Sequence, residues 1–64
     1  MCESSAYVRR KDKEELFLAD VVKLVPEGGK ILLTSLLGEQ REIEAVIDHI
    51  DLLNHKIVLR PTAS

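Results

Sequence analysis

The 64-residue sequence predicts an all-β domain. Short apolar segments recur between turn signals, Val and Ile are dense within them, and Gly28-Gly29 stands between two of them. Branched side chains favour the pleated surface of a sheet, and short strands at regular spacing are typical of all-β units. Five or six short strands in so short a chain predict a small SH3-like or OB-like barrel, whose closure removes most exposed edges.

Turn signals divide the chain into the predicted strands. Polar or glycine-containing breaks fall at 11–13, 26–29, 38–39 and 53–55, and the predicted strands span 6–10, 15–18, 21–25, 31–37, 41–50 and 57–59. Gly28-Gly29 is the strongest hairpin signal, and Asn54 is a predicted hairpin residue because it tolerates a positive φ. Pro61 ends the last apolar run, and residues 60–64 are predicted to be a frayed tail of the single domain 1–64.

Two segments also fit a helix. In 14–25 and in 42–53 the apolar residues recur at helical spacing, so periodicity alone leaves an all-β and an α+β domain open. The density of Val and Ile and the regular spacing of the turns favour strands. We therefore predict strands in both segments.

The composition limits how the domain is stabilised. A chain this short buries roughly 60% of its unfolded surface, and its single cysteine excludes an intrachain disulfide. Aromatic residues make up only 3% of the chain, namely Tyr7 and Phe17, so the predicted core consists of Leu, Ile and Val. A homodimer that extends this small core is the expected assembly.

Charge and hydropathy narrow the function classes. The formal net charge is −2 and the pI about 5.6, which argues against a nucleic-acid binder held mainly by phosphate contacts. No apolar run is long enough to span a bilayer, and residues 1–5 lack the apolar stretch of a signal peptide. The expected location is the cytoplasm, where Cys2 stays a free thiol.

Cys2 is the most informative single residue. It is the only cysteine and directly follows Met1, so the Met1 amine, the Cys2 amide nitrogen and the Cys2 thiolate can form two fused chelate rings on one ion. This donor set suits Ni(II) or Cu(II) in square-planar geometry. If Met1 is removed, the Cys2 amine and thiolate form a bidentate set, and two termini of a dimer supply four donors. An incidental cysteine is the alternative that position alone favours.

Segments along nearly the whole chain resemble one family. They are Met1-Cys2-Glu3, Tyr7-Val8, Asp20-Val21, Pro26-Glu27-Gly28-Gly29-Lys30, Ile31-Leu32-Leu33-Thr34-Ser35-Leu36, Gly38-Glu39, Ile50-Asp51-Leu52 and Lys56-Ile57-Val58-Leu59. In this order and length, the sequence resembles the CooT-type nickel-binding accessory proteins.

The resemblance implies a compact, homodimeric, SH3-like β-barrel. It also implies Ni(II) bound through Cys2 near the dimer interface, and nickel delivery or storage for the maturation of carbon monoxide dehydrogenase. Another nickel enzyme is the alternative client. With this resemblance, a metal role for Cys2, completed by Met1, becomes the preferred hypothesis over an incidental cysteine.

A small RNA-binding β-barrel protein is the alternative function. Some relatives are labelled as predicted RNA-binding proteins, and a short basic run consists of Arg9, Arg10, Lys11 and Lys13. The run lacks the interleaved aromatic residues that stack on bases, and Asp12, Glu14 and Glu15 dilute its charge. We therefore predict a solvated hairpin tip and do not expect RNA as a partner.

The two histidines are the other metal-ligand candidates. His49 and His55 are six residues apart and lack the close pairing that marks a chelate on one element. Asp48 and Asp51 flank His49, which leaves a minor second metal site as an alternative. We predict a surface histidine beside solvated carboxylates.

No enzyme is predicted from the remaining motifs. The carboxylates of Glu14, Glu15, Glu42 and Glu44 are accompanied by no nucleophile, oxyanion loop or cofactor motif. Gly28-Gly29 lacks the Lys-Ser/Thr partner of a phosphate loop. A third alternative is an interaction module that offers a sheet edge or the Leu36-Leu37 surface to a partner.

Overall fold

Five β-strands and no helix make up residues 4–62, the part of the chain that the computed structural model describes. The strands are β1 (Ser4–Arg10), β2 (Lys13–Glu27), β3 (Lys30–Ser35), β4 (Gln40–Asp51) and β5 (Lys56–Pro61). The all-β prediction is confirmed, and the helical alternative is excluded because 14–25 lies in β2 and most of 42–53 lies in β4. The SH3-like form and the homodimer stay predictions.

The strands pair in chain order and then close on themselves. Each strand is antiparallel to the next, while β1 and β5 pair in parallel from Ser5 with Lys56 to Val8 with Leu59, which closes the sheet into a barrel. Closure satisfies backbone groups that an open edge exposes to other chains. It also places the start of β1 beside the start of β5.

Strand β2 corrects the prediction of two separate strands at 15–18 and 21–25. It is one strand of 15 residues, and Asp20 within it has a φ of 56°. The register with β1 and with β3 shifts on either side of Val21, as a β-bulge requires. Asp adopts the left-handed region more readily than most residues, which suits position 20 of the bulge. The break in the apolar pattern before Val21 therefore marks a bulge and not a turn between two strands. The bulge bends β2 so that its first half pairs with β1 and its second half with β3.

The Gly28-Gly29 hairpin is confirmed. Glu27 pairs with Lys30, and the two glycines between them have φ values of 50° and 85°. Two consecutive positive φ values are the requirement of a tight hairpin turn, and glycine adopts them without steric cost. The predicted turn at 26–29 is shorter than expected, since Pro26 and Glu27 still belong to β2.

The turn at 52–55 differs from its prediction. The residue with a positive φ is His55, at 54°, and not Asn54. Asn54 instead donates its backbone N–H to Oδ1 of Asp51 at 3.1 Å and its side-chain amide to Oδ2 at 2.8 Å. The Asp51 carboxylate therefore organises the turn, because it accepts bonds that the backbone of a four-residue loop cannot make to itself.

Strand ends also move relative to the prediction. Strand β3 stops at Ser35, so Leu36 and Leu37 lie in a turn and not in a strand. Ser35 holds this turn: its backbone N–H donates to the Glu39 carbonyl at 2.8 Å and its Oγ accepts from the Glu39 N–H at 3.1 Å. A side chain that satisfies the backbone this way ends the strand one residue before the apolar pair.

The expected frayed tail is wrong for its first residues. Arg60 and Pro61 belong to β5 and pair with Val46 and Ala45 of β4, and the Thr62 N–H donates to the Glu44 carbonyl at 3.1 Å. The last strand therefore continues past its apolar run, because β4 offers backbone partners that the sequence pattern does not reveal. Residues 63–64 lie outside the described residues.

The core is aliphatic, as the composition predicts. Its main cluster consists of Ala6, Leu18, Val21, Ile31, Leu33, Ala45 and Leu59, and Val8 and Val58 are buried as well. Phe17 packs at its margin and remains partly exposed. Alanines on β1 and β4 leave room in a barrel too narrow for large side chains from every strand.

We expect Leu33→Ala to lower the free energy of unfolding by about 2–5 kcal/mol, since it opens a cavity in a close-packed interior. Leu33 has no exposed surface, whereas Leu37 is 94% exposed. The matched control Leu37→Ala should stay within about 0.5 kcal/mol of the wild type. Chemical denaturation measures both changes, and equal losses in the two variants would contradict the assigned core.

Candidate functional site

The predicted metal ligands, Met1 and Cys2, lie outside the residues that the structure describes. The described chain begins at Ser4, the first residue of β1. The surroundings of Ser4 are therefore the described part of the fold that is nearest in sequence to Met1 and Cys2.

Ser4 lies between strand β2 and the turn that precedes β5. On one side Ser4 pairs with Val21, directly after the Asp20 bulge. On the other side the Ser5 N–H donates to the His55 carbonyl at 3.0 Å. Both contacts are backbone pairings, so barrel closure fixes the position of Ser4 independently of nearby side chains.

Two groups of exposed apolar side chains lie on segments that pair with or adjoin the start of β1. The turn group consists of Ile50, Leu52 and Leu53, which are 51%, 79% and 88% exposed. The bulge group consists of Val22, Leu36 and Leu37, and the Leu36 N–H donates to the Asp20 carbonyl at 2.8 Å. Val22 follows Val21, the residue paired with Ser4. Leu36 follows Ser35, which pairs with Val21 and so lies two strands from Ser4, roughly 10 Å away at the usual strand spacing.

The turn group is held on an ordered loop. Besides its two bonds from Asn54, the Asp51 carboxylate accepts the Leu53 N–H at 3.1 Å. These hydrogen bonds, those of Asn54 first, lower the pKa of Asp51 below its ordinary value. The carboxylate thus stays ionised and fixes the turn that carries Leu52 and Leu53, next to the start of β1.

The two histidines do not form a site together. His49 lies on β4 with its Nδ1 at 2.8 Å from Oδ2 of Asp48, and His55 lies in the following turn. Within residues 4–62, no group of three or more His, Cys, Asp or Glu side chains is arranged to hold a metal ion. Both histidines are exposed, as a surface histidine beside carboxylates should be.

The basic run forms the tip of the β1–β2 hairpin, at the opposite end of β1 from Ser4. Arg9 and Arg10 end β1, Lys11 lies in the turn with a φ of 54°, and Lys13 begins β2. Strand β5 adds Arg60, which lines the same cleft as Arg9 and Lys11. Sequence reasoning missed Arg60 because about fifty residues separate it from the run and only barrel closure brings it there.

The two aromatic rings are covered by cations and do not accompany the basic run. Lys56 Nζ lies 4.9 Å from the centre of the Tyr7 ring, and the Arg41 guanidinium lies 5.2 Å from that of Phe17. Both rings are half-buried. The structure therefore offers no free aromatic surface among residues 4–62 on which a base could stack.

The four glutamates singled out in the sequence lie on two different parts of the barrel. Glu14 and Glu15 pair with Arg9 and Val8 of β1, whereas Glu42 and Glu44 pair with Leu32 and Lys30 of β3. Two carboxylates can share one proton for acid–base catalysis only if they lie within a few ångströms of each other. Their pairing partners indicate separate charged surface positions.

Glu14 makes the shortest ion pair among residues 4–62. Its Oε1 lies 2.7 Å from Nζ of Lys56, and each side chain is about one-third exposed, at 34% and 33%. The hydrogen bond from Lys56 lowers the pKa of Glu14, and the same bond raises the pKa of Lys56. The pair links β2 to β5 across β1, next to the point where the barrel closes.

Comparison with known proteins identifies the family. The sequence model of the CO dehydrogenase accessory protein CooT matches residues 1–60. The chain belongs to the CooT family. The match includes the first two residues, Met1 and Cys2, and confirms the resemblance that the sequence motifs indicate.

Two relatives extend this result. The crystal structure of a protein assigned as CooT from Carboxydothermus hydrogenoformans superposes with a TM-score of 0.88 at 42% identity, covering 94% of this chain and 97% of that one. An uncharacterized protein from Archaeoglobus fulgidus is 40% identical over 42 residues, which is 66% of this chain and 93% of the relative. CooT proteins are accessory proteins of CO dehydrogenase. No helix among the described residues of this family member is long and apolar enough to cross a membrane.

The pH dependence of stability tests the Glu14–Lys56 pair. Because the pKa of Glu14 is lowered from 4.5, its ionised form stabilises the fold above that pH, and this contribution is lost as pH falls through the lowered value. We expect Glu14→Gln to lower the thermal midpoint at neutral pH and to match the wild type once the pH is below the lowered pKa of Glu14. The pKa of Lys56 is raised from 10.5, so the stabilisation of the fold by its charged form is present below pH 10.5 and is lost as the pH rises through the raised pKa.

The exposed neighbour Glu15 provides the control for this measurement. Glu15→Gln removes the same charge from the adjacent position of β2, and we expect little change in the thermal midpoint across the acid range. If the difference in thermal midpoint between Glu14→Gln and the wild type stays constant from neutral to acid pH, the stabilising role of the ion pair is contradicted.

Proposed function

We propose that this CooT-family protein binds Ni(II) through the Cys2 thiolate and delivers or stores nickel for CO dehydrogenase or another nickel-enzyme client. One observation carries the proposal: the CooT match includes residue 2, and residue 2 is the only cysteine of the chain. An accessory protein of a metalloenzyme needs a ligand that binds the metal and releases it. A thiolate next to a backbone amine meets that need at a chain terminus.

Two ligand sets follow from the chemistry of the terminus. If Met1 is retained, its amine, the Cys2 amide nitrogen and the Cys2 thiolate bind in one plane, as Ni(II) accepts. If Met1 is removed, the Cys2 amine and thiolate of two chains supply four donors. Both sets require loss of protons from the ligands, so affinity should fall at lower pH. Both also require a reducing compartment such as the cytoplasm, where Cys2 stays a thiol.

The described residues support a site near the start of β1. Cys2 precedes Ser4 by two residues, so their Cα atoms are at most about 7–8 Å apart. Ser4 pairs with Val21, which precedes Val22 of the bulge group, and the Ser5 N–H bonds to the His55 carbonyl in the turn that carries Leu52 and Leu53. An apolar shell around a metal site limits access of water and sets the local dielectric. Residues 4–62 contain no competing group of three ligands.

A homodimer is part of the proposal. Leu52 and Leu53 are 79% and 88% exposed on an ordered turn, and their burial by a second copy would extend a core too small to be stabilised easily alone. The Ser5 N–H bonds directly to the turn that carries these leucines, so the turn group adjoins the start of β1. A dimer packed on the turn group therefore brings two copies of the chain start towards each other.

Nickel titration of the wild type and Cys2→Ser tests the metal role. We expect at least about a 100-fold loss of affinity in Cys2→Ser, because removal of a direct ligand should cost more than the 10–100-fold typical of outer-shell partners. Competition with a chromophoric chelator gives the affinity, and native mass spectrometry gives the number of ions and the state of Met1.

Three controls sharpen the nickel titration. His49→Gln and His55→Gln should bind nickel as the wild type does, which separates the terminus from adventitious imidazole binding. Acetylation of the terminal amine should weaken binding strongly, because both ligand sets use an amine. Unchanged affinity in Cys2→Ser would overturn the proposed function.

Charge substitution on the turn group tests the dimer. We expect Leu53→Glu to shift the protein to a monomer, since a carboxylate buried in an apolar interface is costly. Leu37→Glu is the matched control, because Leu37 is 94% exposed but belongs to the bulge group. Sedimentation velocity with and without nickel measures the assembly. A Leu53→Glu dimer as stable as the wild type would contradict the proposed interface.

A further inference from the structure

We propose that Arg9, Lys11 and Arg60 form a binding site for a phosphate group at the tip of the β1–β2 hairpin. The three side chains come from β1, the hairpin turn and β5, and they line one cleft of 340 Å³ together with Asp48 of β4. Four separate segments of the fold thus contribute to one surface cleft. Arg9 lies five residues along β1 from Ser4, roughly 17 Å away, so this site is separate from the nickel site proposed above.

The two arginines are neighbours because the barrel closes between β1 and β5. Val8 and Leu59 are paired and buried, and Arg9 and Arg60 directly follow them on parallel strands. Both arginines are exposed, so they project from the same outer face. Like charges at adjacent positions of a sheet destabilise it. A bound anion would remove this repulsion.

The cleft carries more positive than negative charge. Three cations and one carboxylate line it, although the chain as a whole has a net charge of −2. The carboxylate of Asp48 is already engaged, with Oδ2 at 2.8 Å from Nδ1 of His49 and 3.6 Å from Nη1 of Arg9. Among residues 4–62, no carboxylate oxygen lies within 4.0 Å of the side-chain nitrogens of Lys11 or Arg60.

The chemistry of the lining favours a phosphate group over a nucleic acid. Guanidinium groups bind two oxygens of a phosphate at once, and a lysine adds a compact charge. Base stacking would need an exposed aromatic ring, but Tyr7 and Phe17 lie elsewhere under Lys56 and Arg41. The adjoining cleft at the hairpin tip is lined by Arg10, Lys11 and Lys13 but also by Asp12 and Glu15, whose carboxylates reduce its attraction for an extended phosphate backbone. We therefore assign the cleft to inorganic phosphate or a small phosphate monoester.

NMR titration with inorganic phosphate tests the site at constant ionic strength, with chloride as the reference salt. We expect saturable amide shifts at residues 9–11, 48 and 60. Arg60→Gln and Lys11→Gln should each bind phosphate about tenfold more weakly, because each loses one charged hydrogen bond. Lys23→Gln, which removes an exposed lysine from another part of the barrel, should bind as the wild type does. Thermal denaturation checks that the variants fold.

Further arms of the titration distinguish the ligand sources and separate this proposal from the nickel proposal. Methyl phosphate that binds more tightly than inorganic phosphate identifies a monoester site, and the reverse identifies an inorganic phosphate site. Cys2→Ser should retain full phosphate affinity whatever its nickel affinity. The proposal is overturned if phosphate produces amide shifts no larger than those of chloride, or if Arg60→Gln binds phosphate as tightly as the wild type. It is also overturned if methyl phosphate does not bind while single-stranded RNA binds equally well with and without a terminal phosphate.

Discussion

The parallel pairing of β1 with β5 is the constraint on which the rest of the structure depends. It joins the first and last strands over only four residue pairs, from Ser5 with Lys56 to Val8 with Leu59. Without it the antiparallel meander would be an open sheet with two exposed edges. The small aliphatic core would then lose the enclosure that buries Ala6 and Leu59 together. Parallel pairing of distant segments is slow to form, so this junction is also the most non-local step of folding.

Barrel closure gives the two ends of β1 different surroundings. At its start, the backbone bond from Ser5 to His55 places β1 beside the turn that carries the exposed Leu52 and Leu53. At its end, Arg9 meets Arg60 and Lys11 in a cleft of excess positive charge. Between them, the Glu14–Lys56 ion pair links β2 to β5 across the junction. Strand β1 thus separates an end with exposed apolar side chains, where nickel binding is proposed, from a cationic end.

Local chemistry explains which features the sequence could predict. Gly28-Gly29 determines its own hairpin because only glycine adopts two consecutive positive φ values freely, and the density of Val and Ile identifies strands. The Asp20 bulge was missed because a bulge and a turn interrupt the apolar pattern alike. Arg60 was assigned to a frayed tail because its partners on β4 and its neighbours on β1 are distant in sequence. Cys2 is proposed as a ligand from its position and from the family motifs, because the periodicity of the fold does not mark it.

The central claim is that the Cys2 sulfur binds nickel, and X-ray absorption spectroscopy at the nickel edge tests it most directly. The spectrum of the nickel-loaded protein should contain sulfur in the first coordination shell in a square-planar environment. One sulfur per nickel corresponds to a site within one terminus, and two correspond to a site shared by two chains. A first shell of nitrogen and oxygen alone, as histidine and carboxylate ligands would give, would contradict the claim.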